Sequence, residues 1–155
     1  MDSKTSSHAR FSYLLLLSGT AALGGLLFGF DIAIITGAGP FVKQHFHLNE
    51  LQLGWGYSSL LFGCILGSAV AGRITDLIGR RKILMFVAIL FALTSAGTAL
   101  APDFALFVTA RLLGGLAVGA ASIVSPMYIS EIAPSRLRGR LVTAYQLSIT
   151  IGILI

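Results

Sequence analysis

Two charged side chains interrupt long apolar stretches of this sequence, and together they point to proton chemistry. Asp31 lies in the first apolar stretch and Arg111 in the fourth. An ionised side chain at the centre of a membrane helix costs about 2.5 to 3.5 kcal/mol on insertion scales, so such residues usually have a function. Each lies nine residues from a proline, Pro40 or Pro102, which corresponds to about 13 Å of helix rise. The two side chains are therefore predicted at equal depth, where an ion pair is possible.

An acid beside a guanidinium suits a protonation switch. Apolar surroundings favour a protonated carboxyl group, whereas a neighbouring guanidinium favours the carboxylate. A small rearrangement can therefore load or release a proton at Asp31, and Arg111 would respond to the change in charge. The alternative is that each side chain only reaches toward polar surroundings or pairs with the backbone, and so serves folding alone.

A second set of polar side chains lies near the end of the sequence. Thr143, Gln146 and Thr150 follow the spacing i, i+3 and i+7, which places them on one helical face. Such a stripe suits a water-filled cavity, and the Gln146 amide can both donate to and accept from a ligand hydroxyl group. The two threonines have an alternative, because hydroxyl groups in membrane helices also bond to carbonyls of their own helix.

The composition indicates that the chain is a membrane protein. Hydrophobic residues make up 55% of the chain, charged residues only 11%, and the mean hydropathy is +0.88. A soluble domain needs a more polar surface. A helix that crosses about 30 Å of hydrocarbon needs about 20 apolar residues. Four segments of an all-α fold are predicted to be complete transmembrane helices: residues 11–38, 51–72, 83–101 and 104–129.

A fifth predicted helix, residues 141–155, is too short to cross the membrane. It would rise about 22 Å, and no polar flank follows Ile155. We therefore expect the chain to be an N-terminal fragment of a longer protein. Residues 1–10 are expected to form a cytoplasmic tail. A secretory signal peptide is the alternative for the N-terminus, but the first apolar run exceeds the apolar core of a signal peptide, about 7 to 15 residues.

The basic residues are concentrated on one side of the predicted membrane. Nine lie on the side of the N-terminus, whereas Lys43 is the only one on the opposite side. The positive-inside rule therefore places the N-terminus and residues 73–82 in the cytoplasm of a multi-pass protein of the cell membrane. This distribution accounts for the net charge of +5 without nucleic acid, whose recognition needs a basic surface with groove-reading or stacking residues.

The remaining reactive side chains do not suggest an enzyme, a cofactor or a metal site. Cys64 is the only cysteine, so it has no partner for an internal disulfide. His45 and His47 lie in a predicted outer loop without a cluster of cysteines or carboxylates, and this spacing is weak evidence for a metal. The sequence contains no recognisable phosphate loop, catalytic triad or pair of catalytic carboxylates.

Glycine pairs predict where the helices touch. Small residues four positions apart let two helix backbones approach closely within a membrane. The pairs lie in the first, second and fourth predicted helices, at Gly25 and Gly29, Gly63 and Gly67, and Gly115 and Gly119.

Three motifs resemble those of a known family, the sugar porters of the major facilitator superfamily. The motifs are Gly-Gly-Leu-Leu-Phe-Gly-Phe-Asp at 24–31, Gly-Arg-x-x-Asp-x-x-Gly-Arg-Arg at 72–81, and Pro-Met-Tyr-Ile-Ser-Glu-Ile-Ala-Pro at 126–134 followed by Arg-Gly-Arg at 138–140. The second motif indicates only the superfamily, whereas the third is more specific for sugar porters. The resemblance covers essentially the whole chain after the first ten residues.

The resemblance implies a twelve-helix transporter with two six-helix halves and alternating access around a central site. This chain would supply the first four helices and part of the fifth, with the missing C-terminal helices and the lipid bilayer as its partners. By position, Asp31 and Arg111 match the family's proton-coupling acid and its arginine partner. Phe28 and Gln146 match contacts to a monosaccharide or polyol. The acid position is typically neutral in passive members, so Asp31 favours proton symport.

The resemblance also implies a cytoplasmic gate. Its residues in this chain would be Gly72, Arg73, Asp76, Gly79, Arg80, Arg81, Glu131 and Arg138. Glu131 is expected to pair with the arginines of the 72–82 string. Asp76 is expected to contact the start of a helix beyond Ile155 and therefore to lack a partner within this chain. The alternative is that these basic residues only orient the chain in the membrane, as basic loops do in most membrane proteins. Exposed ion pairs contribute only about 0 to 1 kcal/mol to stability.

Two other functions remain open from the sequence. A passive sugar uniporter would use the same helices without proton coupling. A non-transporting membrane protein, such as a sugar sensor or an interaction subunit, would use them without moving a substrate.

Overall fold

Five α-helices account for almost all of the chain. The structure is a computed structural model that describes the backbone of residues 3–155 and, within the first helix, side chains from residue 23 onward. The helices are α1 (Ser3–His45), α2 (Glu50–Ile78), α3 (Arg80–Ala99), α4 (Phe104–Ile132) and α5 (Arg138–Leu154). The described residues contain no β-strand, and the predicted all-α fold is confirmed.

Four of these helices contain segments that are long and apolar enough to cross a membrane. The segments are Leu23–His45, Glu50–Ile78, Arg80–Ala99 and Phe104–Ile132. α5 has 17 residues and rises about 26 Å, which is less than the hydrocarbon thickness of about 30 Å. The described part of the chain thus has four membrane-span candidates and a shorter fifth helix.

The helices extend beyond the apolar segments seen in the sequence. α2 continues six residues past Gly72, and α5 begins three residues before Leu141. Hydropathy marks the part of a helix that lies in hydrocarbon, whereas the backbone hydrogen bonds continue where polar side chains reach headgroups or water. The polar string at 72–82 is consequently helical except at Gly79.

Gly79 alone separates α2 from α3. Its φ of 95° lies in the left-handed region, where a residue with a Cβ atom is strained. Its N–H donates to the Thr75 carbonyl at 3.0 Å, and its own carbonyl accepts from the Ile83 N–H at 3.3 Å. The chain therefore reverses between two membrane helices within one residue.

Side chains cap the starts of α2 and α4. The Gln52 N–H donates to the Asn49 side chain at 2.8 Å, and the Asn49 N–H donates to the Gln52 side chain at 3.0 Å. This reciprocal capping box satisfies backbone donors that the first turn of α2 leaves free. In α4, the Leu106 N–H donates to the Asp103 carboxylate at 2.7 Å.

The chain divides into two compact units. Unit 1 comprises Met1–Ile34 and Pro126–Ile155, and unit 2 comprises Ile35–Ser125. The boundaries fall inside α1 and α4, so each of these helices contributes to both units. The boundary in α4 coincides with Pro126, whose ring removes a backbone donor and interrupts the helical hydrogen-bond ladder.

Backbone contact between glycines joins α2 to α4 in unit 2. A Cβ atom at Gly63 would lie 2.1 Å from the carbonyl oxygen of Leu112, and one at Gly115 would lie equally close to a carbonyl of α2. Gly67 and Gly119 make contacts of the same kind. The predicted contact faces of these two helices are confirmed, because only a residue without a side chain fits at each position.

α3 covers a second side of α4 through an apolar core. Ile83 and Val87 of α3 pack in one buried cluster with Ala71 of α2 and with Ala117 and Val124 of α4. Val124 is fully buried. The small alanines allow the helix axes to approach, while the larger side chains fill the space between them.

The same kind of backbone contact joins α1 to α5 in unit 1. A Cβ atom at Gly29 would lie 2.0 Å from the carbonyl oxygen of Ile149, and one at Gly152 would lie 2.2 Å from that of Leu26. A Cβ atom at Gly25 would also meet α5, within 3.0 Å of a backbone carbonyl. The glycine face predicted for the first helix is therefore a contact face, and its partner is α5.

Replacing Gly63 by alanine should destabilise the protein by about 1 to 3 kcal/mol, because the new methyl group must push the α4 backbone away. Gly54→Ala is the matched control in the same helix, since a Cβ atom there meets nothing within 4 Å. The measurement is the melting temperature of the purified protein in detergent. Equal melting temperatures for the two variants would contradict the proposed contact.

Candidate functional site

The predicted substrate-contacting residues and the predicted proton acid all lie in unit 1. Phe28 and Asp31 are half-buried on α1, and Gln146 is exposed on α5. The spacing of three residues places Phe28 and Asp31 on one side of α1. The neighbouring glycines Gly25 and Gly29 hold another side of α1 against α5. Three of the four residues proposed for coupling and substrate binding are thus carried by two helices in backbone contact.

Gln146 differs from the two threonines of the polar stripe on α5 in how its side chain can form hydrogen bonds. The Thr143 hydroxyl donates to the Gly139 carbonyl at 2.9 Å, and the Thr150 hydroxyl donates to the Gln146 carbonyl at 3.3 Å. Both threonines therefore use their donors within the helix, which is the alternative that the sequence left open. An amide has two donors and an acceptor, so Gln146 is the member of the stripe best suited to hold a ligand hydroxyl group.

The opposite face of α5 is occupied by its contact with α1. Tyr145, Ser148 and Gly152 are buried, and the Ser148 hydroxyl donates to the Tyr145 carbonyl at 2.7 Å. This arrangement leaves the face with Gln146 exposed within unit 1.

Arg111 lies in unit 2 and is covered by protein. Its exposed fraction is 3%, although it is a charged side chain within a membrane-span candidate. Phe107, one turn before it on α4, is 5% exposed, and Gly115, one turn after it, contacts α2. A guanidinium with so little exposure is removed from water and from lipid alike. The predicted ion pair with Asp31 joins residues of different units and remains a prediction.

An aromatic cluster beside the start of α4 was not recognised in the sequence. The ring centroids of Phe46, Phe104 and Phe107 are 6.0 to 6.2 Å apart. Gly56 of α2 leaves room for two of these rings, since a Cβ atom there would lie 3.4 Å from Phe104 and 3.5 Å from Phe107. Phe46 from the end of α1 therefore packs with two rings of α4, next to the buried stretch that contains Arg111.

Contacts on both sides of the connection between α1 and α2 anchor it to these helices. Lys43 forms an ion pair with Glu50 across the connection. Leu48 between them is buried. The Tyr57 hydroxyl lies against Gly39, where it would clash with any Cβ atom.

The predicted gate residues of unit 2 lie at the α2–α3 turn. The Asp76 carboxylate accepts from the Arg80 guanidinium at 3.2 Å. Arg73 and Arg81 are exposed, and Gly72 has open space beside it. The expectation that Asp76 would lack a partner within this chain is wrong. Because α3 begins directly after Gly79, residues 76 and 80 come within reach of each other, which a longer loop would not ensure.

The predicted gate residues of unit 1 flank the α4–α5 connection. Glu131 is exposed in the last turn of α4, and Arg138 is exposed at the start of α5. The connection also contains buried Ala133. The predicted pairing of Glu131 with the arginines of the α2–α3 turn crosses the two units and remains a prediction.

The described residues contain no cluster of three or more potential metal ligands. His45 instead packs edge-on against the ring of Phe46, with centroids 4.7 Å apart.

Comparison with known protein families gives one match along most of the chain. Residues 17–155 match the family described as "Sugar (and other) transporter". A "Glucose transport protein" of Synechocystis is 46% identical over 154 residues, which cover 99% of this chain and 33% of the relative. The "Galactose-proton symporter" of Escherichia coli K12 is 42% identical over 153 residues, again 99% of this chain and 33% of the relative.

Solved structures show the same fold. The inward-open xylose transporter XylE from E. coli aligns with a TM-score of 0.83 and 37% identity, covering 92% of this chain and 38% of XylE. The proton:xylose symporter XylE bound to 6-bromo-6-deoxy-D-glucose aligns with a TM-score of 0.85 and 37% identity, covering 94% of this chain and 36% of the other. The chain thus spans about a third of the length of the relatives that it matches.

Proposed function

Because the chain belongs to the sugar porter family of the major facilitator superfamily, we propose that it forms the first part of a transporter that moves a monosaccharide or polyol across the membrane by alternating access. The observation that carries this proposal is the family match over residues 17–155, which includes all the helices that hold the candidate site. The chain is a multi-pass membrane protein and not an enzyme.

We further propose that transport is coupled to protons through Asp31. Relatives with 41 to 42% identity are named as galactose-proton and arabinose-proton symporters. Asp31 is a carboxyl group within the span candidate Leu23–His45, where ionisation has a large cost unless a partner offsets it. Arg111, buried in unit 2, is the proposed partner that distinguishes the ionised from the protonated acid.

Phe28 and Gln146 are the proposed substrate contacts. A sugar has apolar C–H faces that stack on an aromatic ring, and it has hydroxyl groups that both donate and accept hydrogen bonds. Phe28 can supply the ring on α1, and Gln146 can supply the amide on α5. The glycine contacts between α1 and α5 support this proposal, since they hold the two helices in a defined register.

Asp76, Glu131 and the neighbouring arginines are the proposed cytoplasmic gate. Exposed ion pairs contribute little to stability, so they can open and close without a large energetic barrier. The positive-inside rule, applied to the basic residues of the two connections, supports a cytoplasmic position for the gate and for the N-terminus.

The central experiment is uptake of labelled pentoses, hexoses and inositol by proteoliposomes that contain the intact transporter, with and without an inward proton gradient. We expect the gradient to drive accumulation of at least one sugar. Asp31→Asn should abolish accumulation but retain sugar exchange, because the binding site persists while the carboxyl group proposed to carry the proton is lost. Gradient-independent uptake by the unmodified protein would establish a uniporter, and the absence of uptake of any sugar would contradict transport.

Gln146→Ala should weaken sugar affinity about three- to tenfold, the loss expected for one hydrogen bond to a hydroxyl group. Thr150→Val is the matched control one turn away, since its hydroxyl is already bonded within the helix. This substitution should change affinity less than twofold. The apparent Km for exchange measures both variants, and a larger effect of Thr150→Val would argue against the assignment of Gln146.

Asp76→Asn should slow transport while leaving expression and melting temperature nearly unchanged, because exposed ion pairs contribute only about 0.2 to 1 kcal/mol. Glu50→Gln removes the exposed pair with Lys43 and is the matched control. Its transport rate should equal that of the unmodified protein. Equal transport rates for Asp76→Asn, Glu50→Gln and the unmodified protein would contradict the proposed gate. The pair of Asp76 with Arg80 would then be only a local contact between neighbouring helix turns.

A further inference from the structure

The surface of α3 is divided along its length into a buried and an exposed side. Ile83, Val87 and Thr94 are buried, with exposed fractions of 7 to 8%. On the other side, Phe86 and Leu93 are 63% and 67% exposed. Since α3 is a membrane-span candidate, its exposed apolar side is suited to acyl chains rather than to water.

Two cations lie at the N-terminal end of this exposed apolar side. Lys82, Phe86, Ile89 and Leu93 follow the spacing i, i+4, i+7 and i+11, which places them along one helical face. Arg81 lies next to this face, and both Arg81 and Lys82 are exposed. The stripe formed by these five residues is named the α3 lipid face. It is cationic at one end and apolar along the rest of its length.

The charge at the cationic end is not compensated locally. Asp76 is the only acid in the 72–82 string, and it pairs with Arg80. Among the residues that the structure describes, neither Arg81 nor Lys82 has an ion-pair partner. Both belong to the first turn of α3, where the free N–H groups of a helix start add partial positive charge. An anionic group is therefore favoured at this position.

The length of the face matches one leaflet of a bilayer. Lys82 and Leu93 are eleven residues apart, which corresponds to about 16 Å of helix rise. Half of a hydrocarbon core of about 30 Å is about 15 Å. A phospholipid whose phosphate lies at the cations would thus place its acyl chain along Phe86, Ile89 and Leu93.

We propose that the α3 lipid face is a binding site for a phospholipid with an anionic headgroup. Arg81 and Lys82 hold the headgroup phosphate, and the apolar side chains contact the acyl chain. Both parts are needed, because the cations distinguish anionic from zwitterionic lipids and the apolar stripe distinguishes a lipid from a free phosphate. Lipid binding at this face can be measured without sugar transport or proton coupling, although Arg81 is also one of the arginines of the proposed gate.

The test is a titration of the intact transporter in detergent with phosphatidylglycerol and with phosphatidylcholine of the same acyl chains, with bound lipid counted by native mass spectrometry. We expect Arg81→Gln and Lys82→Gln each to weaken phosphatidylglycerol binding about fivefold, and the double variant about 25-fold. Phosphatidylcholine binding should be unchanged in these variants. Arg73 and Arg80 are retained, so that the orientation signal of the connection persists.

Two controls separate the parts of the site. Lys43→Gln removes a cation that is already paired with Glu50, and it should leave phosphatidylglycerol binding unchanged. Phe86→Ala should weaken binding of both lipids, because it removes a contact to the acyl chain, which the two lipids share. The melting temperature of each variant verifies folding.

Three results would overturn the proposal. The first is unchanged phosphatidylglycerol binding in the double variant, and the second is an equal loss for both lipids in that variant. The third is displacement of phosphatidylglycerol by glycerol phosphate at similar concentration, which would show that the cations bind a free anion without the acyl contact.

Discussion

Close contact between helix backbones is the constraint on which this structure depends. Hydrocarbon provides little hydrophobic drive for two apolar helices to associate, so the helices must gain their attraction from tight packing. Unit 2 achieves this where Gly63 and Gly115 face each other's helices, and unit 1 achieves it where Gly29 and Gly152 do so. Sliding either pair by one residue would bring a Cβ atom against a carbonyl oxygen. The glycines therefore determine the register of the helices as well as their distance.

That register determines where the polar residues lie. Once α1 and α5 are joined through their glycines, Ser148 is buried in the contact and Gln146 is left exposed. Once α4 is joined to α2 and α3, Arg111 is enclosed by protein. The same packing thus leaves an amide accessible to a ligand and removes a cation from lipid. In the proposed mechanism, the first property serves substrate recognition and the second strengthens the response to a protonated or ionised acid, because electrostatic interactions are stronger away from water.

The two ends of unit 2 are built from different interactions. One end has the rings of Phe46, Phe104 and Phe107 and a capped start of α2. The other end has a one-residue turn at Gly79 with exposed cations beside it. The first end is held by ring packing and by capping bonds, which are short-range contacts, whereas exposed charges at the second end respond to ions, lipids and partner helices. This asymmetry agrees with the proposal that the end with the Gly79 turn carries the gate.

Much of this protein was determined by its sequence alone. Apolar length predicted the membrane helices, glycine spacing predicted their contact faces, and the motifs at 24–31, 72–81 and 126–140 indicated the family, because each of these signals is local along the chain. Helix ends were less predictable, since a helix continues beyond the hydrocarbon region that hydropathy detects. The pairing of Asp76 with Arg80 depended on the length of the turn at Gly79.

Tertiary structure decided which side chains are enclosed and which remain available. The partner of the α1 glycines, the packing of Phe46 against the rings of α4 and the burial of Arg111 all require knowledge of which helices are neighbours. The two threonines of α5 were equally suited by sequence to a ligand or to their own helix, and their geometry showed the bonds within the helix. Sequence spacing specifies the face of a helix, but only packing specifies what that face meets.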